Sequence, residues 1–557
     1  MFVGLDMGGT HTDAVLIEKG RVSRHYKTVT DAADFVGTIR RALEALLAGI
    51  NLDAVRSINL STTICTNAVI TGRTSPVGLL LEPGPGMNPA VLTCGQKNFI
   101  LSGSIDHRGR PTSPLVEAEI KNADRELQRA GIRHLAIVGK FSTRNPEHEV
   151  AIKEALSVEY DFITLGHRLS GRLNFPRRVF TAYLNSAVAA TYRSFAAAIT
   201  DFVMQKGLTI APHILKADGG TMTIEASQER PVETILSGPA ASIMGALALM
   251  PVEQDAVILD IGGTTTDIAF LAGGVPLFEP QGITLTGFPT LVRALFSHSL
   301  GLGGDSCVNS KEGRLTIGPE RRGPALALGG PTVTPTDALI TLGRLDVGDK
   351  TLARRGLTKL GDELGLSPES TAAVVLRQMA EEIARCCRTI LDKINDRPVY
   401  TVREVLEGRQ IKPAQVIAIG APAPLLAPEL EKAFALPVIV PDLAGVANAV
   451  GAALSRPTTE LTLLADTEEG VLTVPEEGIR ERIPGSYNLE QAKKRALELL
   501  RSRYTRLTRE VEEDELEIIE EQVFNMVSGF YTTGKNIRIK AQVKPRVIPL
   551  KGDGDHV

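Results

Sequence analysis

Two short segments of the chain carry the same set of residues suited to binding phosphate. Residues 5–13 read LDMGGTHTD and residues 259–267 read LDIGGTTTD, so seven of nine positions are identical. Glycines let backbone N–H groups approach and converge on an anion, and threonine hydroxyls add further donors. We therefore predict that both segments bind phosphate groups, through eight residues: Gly8, Gly9, Thr10, Thr12, Gly262, Gly263, Thr264 and Thr265.

An aspartate precedes the glycines in each segment, at Asp6 and at Asp260. A carboxylate contacts a phosphate favourably only when a divalent cation, or the water shell of that cation, lies between them. We predict that Asp6 and Asp260 organise Mg²⁺ and are catalytic. Asp13 and Asp267 leave two interpretations open, because they could contact the metal or brace the turn through local backbone hydrogen bonds. Asp267 is the third candidate metal residue.

The elements around these segments place both of them on β-hairpins. A strand-like run precedes each copy, and a second one follows it, at residues 14–17 and 268–271. One such hairpin would be a weak signal, since Gly–Gly turns are common connections. Two copies in two α/β units are what a cleft needs to hold a polyphosphate from both walls. The spacings of the Walker P-loop and of the Rossmann glycine motif are absent at both sites.

Chain length and the alternation of strand and helix patterns predict three units. Residues 1–176 form a first α/β half and residues 177–456 a second half, with a helix over residues 184–206 joining them and residues 177–182 leading into that helix. Residues 457–557 form a small α+β domain at the C-terminus.

Composition argues against several classes of protein. A net charge of −4 and 23% charged residues give no reason to expect a nucleic-acid partner. Five cysteines without paired metal spacing indicate a reducing compartment. The N-terminus lacks the features of a secretory signal, and the apolar stretch at residues 235–250 is shorter than a membrane helix. We therefore expect a cytoplasmic protein without a membrane span.

The motifs resemble those of the superfamily of actin, sugar kinases and heat-shock ATPases, and more narrowly those of the hydantoinase A and 5-oxoprolinase family. The resemblance covers roughly residues 1–456 and includes the two repeated segments. Five further segments are similar to family motifs: Ser61–Ala68, Asn145–Glu149, Leu236–Ser242, Gly301–Ser306 and Gly330–Ala338. This resemblance implies two tandem ribonuclease H-like (actin-like ATPase) domains around a nucleotide cleft.

Further site residues follow from the resemblance. Thr62 and Thr63 follow a strand and would face the cleft as donors or cap the next helix. Gly304 and Asp305 lie in a turn that would receive the ribose or base of the nucleotide or only join two elements. Gly420 begins the sequence GAPAP where the family carries a glycine-rich segment near the adenine.

One departure from the family concerns Asp218, which stands where the family more often has an asparagine before paired glycines. We predict that Asp218 is a catalytic base or a ligand-binding residue.

In terms of activity, the resemblance implies that ATP, with Mg²⁺, phosphorylates the carbonyl oxygen of a cyclic amide or lactam, which water then opens. It also implies a hydantoinase B-type partner subunit and an oligomeric assembly. Two alternatives are open: an activator or reactivating ATPase that acts on a partner enzyme, and a small-molecule kinase in which Asp218 accepts the proton of an alcohol.

Overall fold

The computed structural model of the chain describes residues 1–31, 34–279, 281–311, 314–396, 410–506, 515–528 and 530–551. The predicted C-terminal domain is therefore described except for residues 507–514, 529 and 552–557. In the described part of the chain, no helix combines the length and the apolar character that crossing a membrane requires.

The first 250 residues contain twelve strands and eight α-helices in their described part. The strands are β1 (Phe2–Met7), β2 (His11–Glu18), β3 (Arg21–Val29), β4 (Ser57–Thr62), β5 (Val77–Glu82), β6 (Lys97–Ile100), β7 (Ser104–Ile105), β8 (Pro111–Ser113), β9 (His134–Gly139), β10 (Phe162–Leu165), β11 (His213–Leu215) and β12 (Thr221–Thr223). The helices are α1 (Phe35–Leu47), α2 (Ile64–Ile70), α3 (Glu117–Arg129), α4 (Glu147–Glu154), α5 (Gly166–Leu169), α6 (Phe175–Gln205), α7 (Ile224–Ser227) and α8 (Ser237–Leu249).

The remaining elements belong to two further regions. Up to residue 456 they are β13 (Ala256–Ile261), β14 (Thr266–Ala272), β15 (Val275–Pro276), β16 (Thr284–Leu285), β17 (Phe288–Pro289), β18 (His298–Leu300), β19 (Val308–Lys311), β20 (Arg314–Ile317), α9 (Pro335–Thr341), α10 (Lys350–Leu364), α11 (Pro368–Asn395), β21 (Gln415–Ile419), α12 (Ala423–Phe434), β22 (Val438–Ile439) and α13 (Ala447–Leu454). Beyond it they are β23 (Glu460–Asp466), β24 (Val471–Val474), β25 (Ile479–Arg482), α14 (Leu489–Thr505), β26 (Leu516–Ser528) and β27 (Tyr531–Val543).

The first sheet has the strand order β12-β11-β4-β1-β2-β3. Strands β1, β2 and β3 are antiparallel, whereas β4 and β11 run parallel to β1. Because β11 and β12 lie at residues 213–223, this sheet contains strands from both sides of the predicted boundary at residue 176. The intervening chain forms a separate parallel sheet, β10-β9-β5-β6, and the long helix α6.

Helix α6 begins nine residues earlier than the predicted helix over residues 184–206. The side chain of Asn174 caps it by accepting a hydrogen bond from Arg177 N, and Pro176 occupies its first turn. Both features are favourable at a helix start. The alanine-rich pattern used for the prediction therefore marked only the later part of the helix.

The second sheet repeats the local topology of the first. Its order is β15-β14-β13-β21-β22, with β13 and β14 antiparallel and β21 parallel to β13. Strands β13, β14 and β21 therefore correspond to β1, β2 and β4. Each sheet has its own buried apolar cluster, built around Leu5 and Leu60 in the first and around Leu259 and Ile268 in the second.

Helices α8 and α13 pack together between the two sheets. A Cβ atom on Gly245 would lie 2.1 Å from the carbonyl oxygen of Ala447, and one on Gly451 would lie 2.2 Å from that of Ala241. The two helices therefore meet backbone to backbone, which only glycine permits at these positions. Strand β1 packs equally closely on α13, since a Cβ on Gly4 would lie 2.1 Å from the carbonyl oxygen of Ala449.

The C-terminal region forms an antiparallel sheet of order β25-β24-β23-β27-β26. Leu461, Leu463, Ile537 and Ile539 lie on one face of this sheet and pack against Leu500 of α14. A helix on one face of an antiparallel sheet is an α+β arrangement.

Candidate nucleotide-binding site

The two repeated segments form hairpin turns with the same hydrogen bond. Gly8 N donates to His11 O at 3.0 Å, and Gly262 N donates to Thr265 O at 2.9 Å. In the strand registers, Asp6 lies opposite Asp13, and Asp260 lies opposite Asp267. The repeated sequence therefore forms the same structure twice: one turn joins β1 to β2, and the other joins β13 to β14.

The predicted phosphate donors differ in their exposure. Gly9 and Thr264 are exposed at the tips of the turns, and Gly8, Thr10, Gly262, Gly263 and Thr265 are partly exposed. Thr12 is fully buried, and its hydroxyl lies 2.9 Å from that of Thr30, which in turn donates to Gly8 O at 3.0 Å. Thr12 therefore braces the first hairpin from behind instead of offering a donor to a ligand.

Carboxylates concentrate behind the two turns. Asp6 is 7% exposed, and its Oδ1 has no hydrogen-bond partner in the described part of the chain. Burial raises the pKa of Asp6 to about 7, with a further contribution from the negative charges of Asp13 and Asp260. Burial, together with Asp260, likewise raises the pKa of Asp267 to about 7. A cation bound here would relieve this repulsion.

Asp260 is held from two helices. Ser242 of α8 donates to its Oδ2 at 2.5 Å, and Asn448 of α13 donates to the same oxygen at 3.1 Å. Ser242 lies in a segment singled out in the sequence, whereas Asn448 was missed. The available signal was a lone amide side chain in a helix otherwise built of alanine, valine, glycine and leucine.

The carboxylates fit Mg²⁺ bound largely through water and phosphate. No cluster of three or more His, Cys, Asp or Glu side chains suited to a metal occurs among the described residues. Mg²⁺ usually keeps several waters and takes only one or two carboxylates in addition to substrate phosphates. Asp6, with its unpartnered oxygen, and Asp260 suit that role. Asp13 is instead paired with Lys27 at 2.8 Å.

The turn containing Gly304 and Asp305 packs directly on the second hairpin. Gly304 N donates to Gly262 O at 3.0 Å, and Asp305 N donates to Gly263 O at 2.6 Å. The carboxylate of Asp305 is paired with Arg321 at 3.1 Å. Burial lowers the pKa of His11 on the first hairpin, and the charge of Asp305 acts in the opposite direction. The turn is therefore close enough to both hairpins to influence a ligand between them.

Thr62, Thr63 and Gly420 lie at the ends of the strands beside the hairpins. Thr62 is 1% exposed, and its hydroxyl accepts a hydrogen bond from Ile64 N at 3.2 Å, so it braces the start of α2. Thr63 donates through both its N–H and its hydroxyl to Met7 O at 3.3 Å, at the edge of the first turn. A Cβ on Gly420 would lie 2.3 Å from Ile261 O and 3.0 Å from Asp260 Oδ1. Gly420 therefore borders the Asp260 carboxylate.

The hydrogen-bond partners of Asp218 lie outside the two turns. It is 5% exposed, and it receives hydrogen bonds from Lys216 Nζ at 3.0 Å, Gly220 N at 2.9 Å and the Thr458 hydroxyl at 3.1 Å. Burial opposes its ionisation, but the charges of Lys216 and Arg293 outweigh it and lower the pKa of Asp218. A carboxylate held ionised by a lysine is a weak proton acceptor.

Comparisons with known proteins show the family and the fold of the chain. The family model for the hydantoinase/oxoprolinase N-terminal region matches residues 2–160, and the hydantoinase/oxoprolinase model matches residues 178–461, more than half of the chain. Caprolactamase subunit alpha of Pseudomonas jessenii is 26% identical over 461 residues, which cover 75% of this chain but only 64% of that subunit.

Two solved structures show the same fold along nearly the whole chain. Nucleotide-free acetone carboxylase has a TM-score of 0.72 at 17% identity, covering 99% of this chain and 88% of that one. ATP-dependent caprolactamase from Pseudomonas jessenii has a TM-score of 0.72 at 20% identity, covering 97% and 87%. The predicted fold class, two α/β ATPase-like halves and a small C-terminal α+β domain, is confirmed. By these matches, the chain belongs to the hydantoinase/oxoprolinase family.

Proposed function

We propose that this chain is the ATP-using subunit of an amidohydrolase that opens a cyclic amide or lactam. The observation that carries the proposal is the pair of equivalent hairpin turns, each backed by an aspartate, at Asp6 and Asp260. The similarity to an ATP-dependent caprolactamase supports both ATP and a ring amide as substrates.

In this proposal the two turns hold the phosphate chain from opposite sides. The N–H groups of Gly9 and Gly263 and the exposed threonine hydroxyls of both turns would donate to phosphate oxygens, while the N–H groups of Gly8 and Gly262 close the turns. Asp6 and Asp260 would hold Mg²⁺, which neutralises charge that develops on the transferred phosphoryl group. Ser242 and Asn448 would keep the Asp260 carboxylate oriented, because both donate to its Oδ2.

The reaction replaces one difficult hydrolysis by a series of easier steps. The carbonyl oxygen of the amide attacks the γ-phosphorus of ATP, the bond to the bridging oxygen breaks, and ADP leaves. Water then adds to the activated carbon and the C–N bond of the ring breaks, which leaves the free amine and an acyl phosphate; a second water hydrolyses the acyl phosphate to the acid and inorganic phosphate. Protein residues contribute mainly positioning and charge stabilisation in the first step.

A partner subunit and assembly into an oligomer belong to the same proposal. The caprolactamase relative is named as one subunit of an enzyme, and this chain covers only part of its length. A hydantoinase B-type subunit would then supply the groups for the hydrolytic step. The boundaries at residues 176 and 456 likewise stay proposals, which limited proteolysis would test.

Product analysis tests the proposed activity. The purified chain, alone and with a candidate partner subunit, is incubated with ATP, Mg²⁺ and caprolactam, oxoproline or hydantoin, and products are identified by mass spectrometry. We expect ADP, phosphate and the ring-opened acid in equal amounts. A stable phosphorylated product, formed when small alcohols replace the ring compounds, would indicate a kinase instead. ATP hydrolysis that depends on a partner but on no ring compound would indicate an activator ATPase.

A further inference from the structure

The hairpin of β26 and β27 extends beyond the rest of the C-terminal sheet. Strand β23 pairs with β27 only as far as Asn536, whereas β26 stays paired with β27 as far as Tyr531. Strand β26 is the last strand in the sheet order, so its outer edge is unpaired along thirteen residues in the described part of the chain. Its register with β27 is regular over residues 520–526. Backbone N–H and C=O groups on such an edge are free to pair with another strand.

The second half of β26 exposes a group of large apolar side chains. Phe524 is 61% exposed, and Val523 and Val527 are also exposed. The turn that follows adds Phe530 and Tyr531. Phe524 and Phe530 are the only exposed phenylalanines among the described residues. A long edge strand with exposed apolar side chains is prone to association unless another surface covers it.

The first half of β26 is acidic, and its carboxylates have cationic partners within the chain. Glu517, Glu520 and Glu521 each lie within 3.7 Å of a lysine or arginine side chain. These carboxylates therefore do not require a basic strand from another protein. The stretch over residues 522–527 contains no charged residue. A surface that covers it must offer apolar side chains and not cations.

This stretch is complementary to a second copy of itself. Residues 523–527 read VFNMV, which is a palindrome by residue class around Asn525. If two copies of β26 pair antiparallel with Asn525 opposite itself, Val523 lies opposite Val527 of the second copy, and Phe524 lies opposite Met526. A twofold interface repeats each contact on both sides of its axis. Side chains directly opposite each other share a face and pack together, and contacts between methionine sulfur and an aromatic ring are favourable.

Other positions of the twofold axis match the strand less well. With the axis at Phe524, Glu521 would lie opposite Val527 of the second copy, and with the axis at Met526, Asn525 would lie there instead. The axis at Asn525 places every apolar residue of the stretch opposite another apolar residue. It also keeps the acidic half of β26 away from the axis, where like charges of the two copies would repel each other.

We propose that two copies of this chain associate by antiparallel pairing of their β26 edges, with the twofold axis at Asn525. The C-terminal sheets of the two copies then continue into each other. In this arrangement the turn with Phe530 and Tyr531 lies level with Ile519 of the second copy, which is likewise exposed. The pairing supplies an interface for the oligomer that belongs to the proposed function, yet it follows from the sheet edge alone.

Analytical ultracentrifugation of the full chain at micromolar concentration, without nucleotide, tests the proposal. We expect the unmodified chain to form a reversible dimer. Phe524→Glu removes an apolar contact on both sides of the axis and should raise the Kd of the dimer about a hundredfold or more. Val91→Glu, at an exposed position outside the C-terminal sheet, is the matched control and should leave the Kd unchanged.

A second pair of variants tests the register. Phe524→Glu and Met526→Lys should each weaken self-association. An equimolar mixture of the two sets the new carboxylate of one copy opposite the new ammonium of the other, while the second contact across the axis keeps Phe524 against Met526. The mixture should therefore recover dimers, whereas mixing Val91→Glu with Met204→Lys, both at exposed positions, should change nothing.

Three results would overturn the proposal: a monomeric unmodified chain, an unchanged Kd in Phe524→Glu, or a mixture that stays monomeric. Pairing of this edge only with a partner subunit would also overturn it, because β26 would then bind a different protein. The measurements contain neither ATP nor a ring compound, so their failure and the failure of the proposed activity are distinguishable.

Discussion

Asp6 and Asp260 occupy equivalent positions in two separate sheets, and the negative charge of Asp260 contributes to raising the pKa of Asp6. The two aspartates are therefore coupled electrostatically between the two halves of the molecule. Helices α8 and α13 lie between the sheets, and both donate a hydrogen bond to Asp260. The arrangement accumulates negative charge where a phosphate-bound cation would be held.

The first prediction concerns pH. Because burial raises the pKa of Asp6 from 3.8 to about 7, the folded chain keeps a proton that the unfolded chain releases between these values. Protonated Asp6 therefore makes its full contribution to the free energy of unfolding below pH 4. This contribution, on the order of a few kcal/mol, is lost as the pH rises to about 7. Asp6→Asn removes this titration. Without Mg²⁺, the Tm of Asp6→Asn should therefore exceed that of the unmodified chain at pH 8 by more than at pH 5. A constant difference would contradict the burial argument.

The second prediction uses two equivalent glycines as test and control. A Cβ on Gly263 would lie 2.9 Å from Asp305 Oδ2, whereas a Cβ on Gly9 would meet nothing within 4 Å. Gly263→Ala should displace the Asp305 carboxylate from Arg321 and lower the free energy of unfolding by up to about 1 kcal/mol, and Gly9→Ala should change it little. Denaturant unfolding of both variants measures the difference. Equal effects would show that the turn over residues 303–306 does not press on the second hairpin.

The third prediction concerns Asn448, whose side chain donates to Asp260 and also interacts with Asp6. Asn448→Ala leaves Asp260 with only the Ser242 donor, so the carboxylate loses part of its orientation. We expect the Mg²⁺ concentration for half-maximal ATP turnover to rise about tenfold, equal to the loss of one hydrogen bond to a charged group. Ser194→Ala, at an exposed position on α6, is the control. An unchanged Mg²⁺ requirement would remove Asn448 from the site.

The fourth prediction tests whether Asp218 contributes to the stability of the fold or acts as a general base. Asp218→Asn removes the nearer charge partner of Lys216, itself 7% exposed, and leaves it only Glu233 at 3.9 Å. Breaking a buried pair in this way is expected to cost about 3–5 kcal/mol of stability. ATP turnover per folded molecule should stay within a few-fold of the unmodified chain, measured below the Tm of the variant. Loss of turnover by a thousandfold in a folded variant would restore Asp218 as a general base.

The two hairpins were predictable from sequence, because a local repeat determines local geometry. Seven identical residues in two copies were enough to locate both hairpins, because a turn with two glycines needs little from the rest of the fold. Thr12 shows the limit, since its hydroxyl bonds to Thr30, and only the pairing of β2 with β3 brings these two residues together. Asn448 and Gly420 reach Asp260 only once α13 and β21 are placed, through contacts between residues 160 to 188 positions apart in the chain.

The domain layout shows a second limit. Strand β11 has only three residues, and it joins the first sheet by pairing with β4, more than 150 residues earlier. Such a short strand carries no periodic signal of its own. The inserted parallel sheet, in contrast, follows from long apolar runs such as Val77–Glu82 that could be read directly. Local patterns thus gave the elements, while membership of each sheet required the tertiary structure.

The most direct test of the account is whether the two hairpins hold a nucleotide through Mg²⁺. Equilibrium binding of a fluorescent ATP analogue is measured with Mg²⁺ and with a chelator, for the unmodified chain and for Asp6→Asn/Asp260→Asn. The account predicts that Mg²⁺ tightens binding to the unmodified chain about tenfold or more and that the double variant loses this dependence. Absence of binding to the unmodified chain, or equal dependence on Mg²⁺ in the double variant, would contradict it.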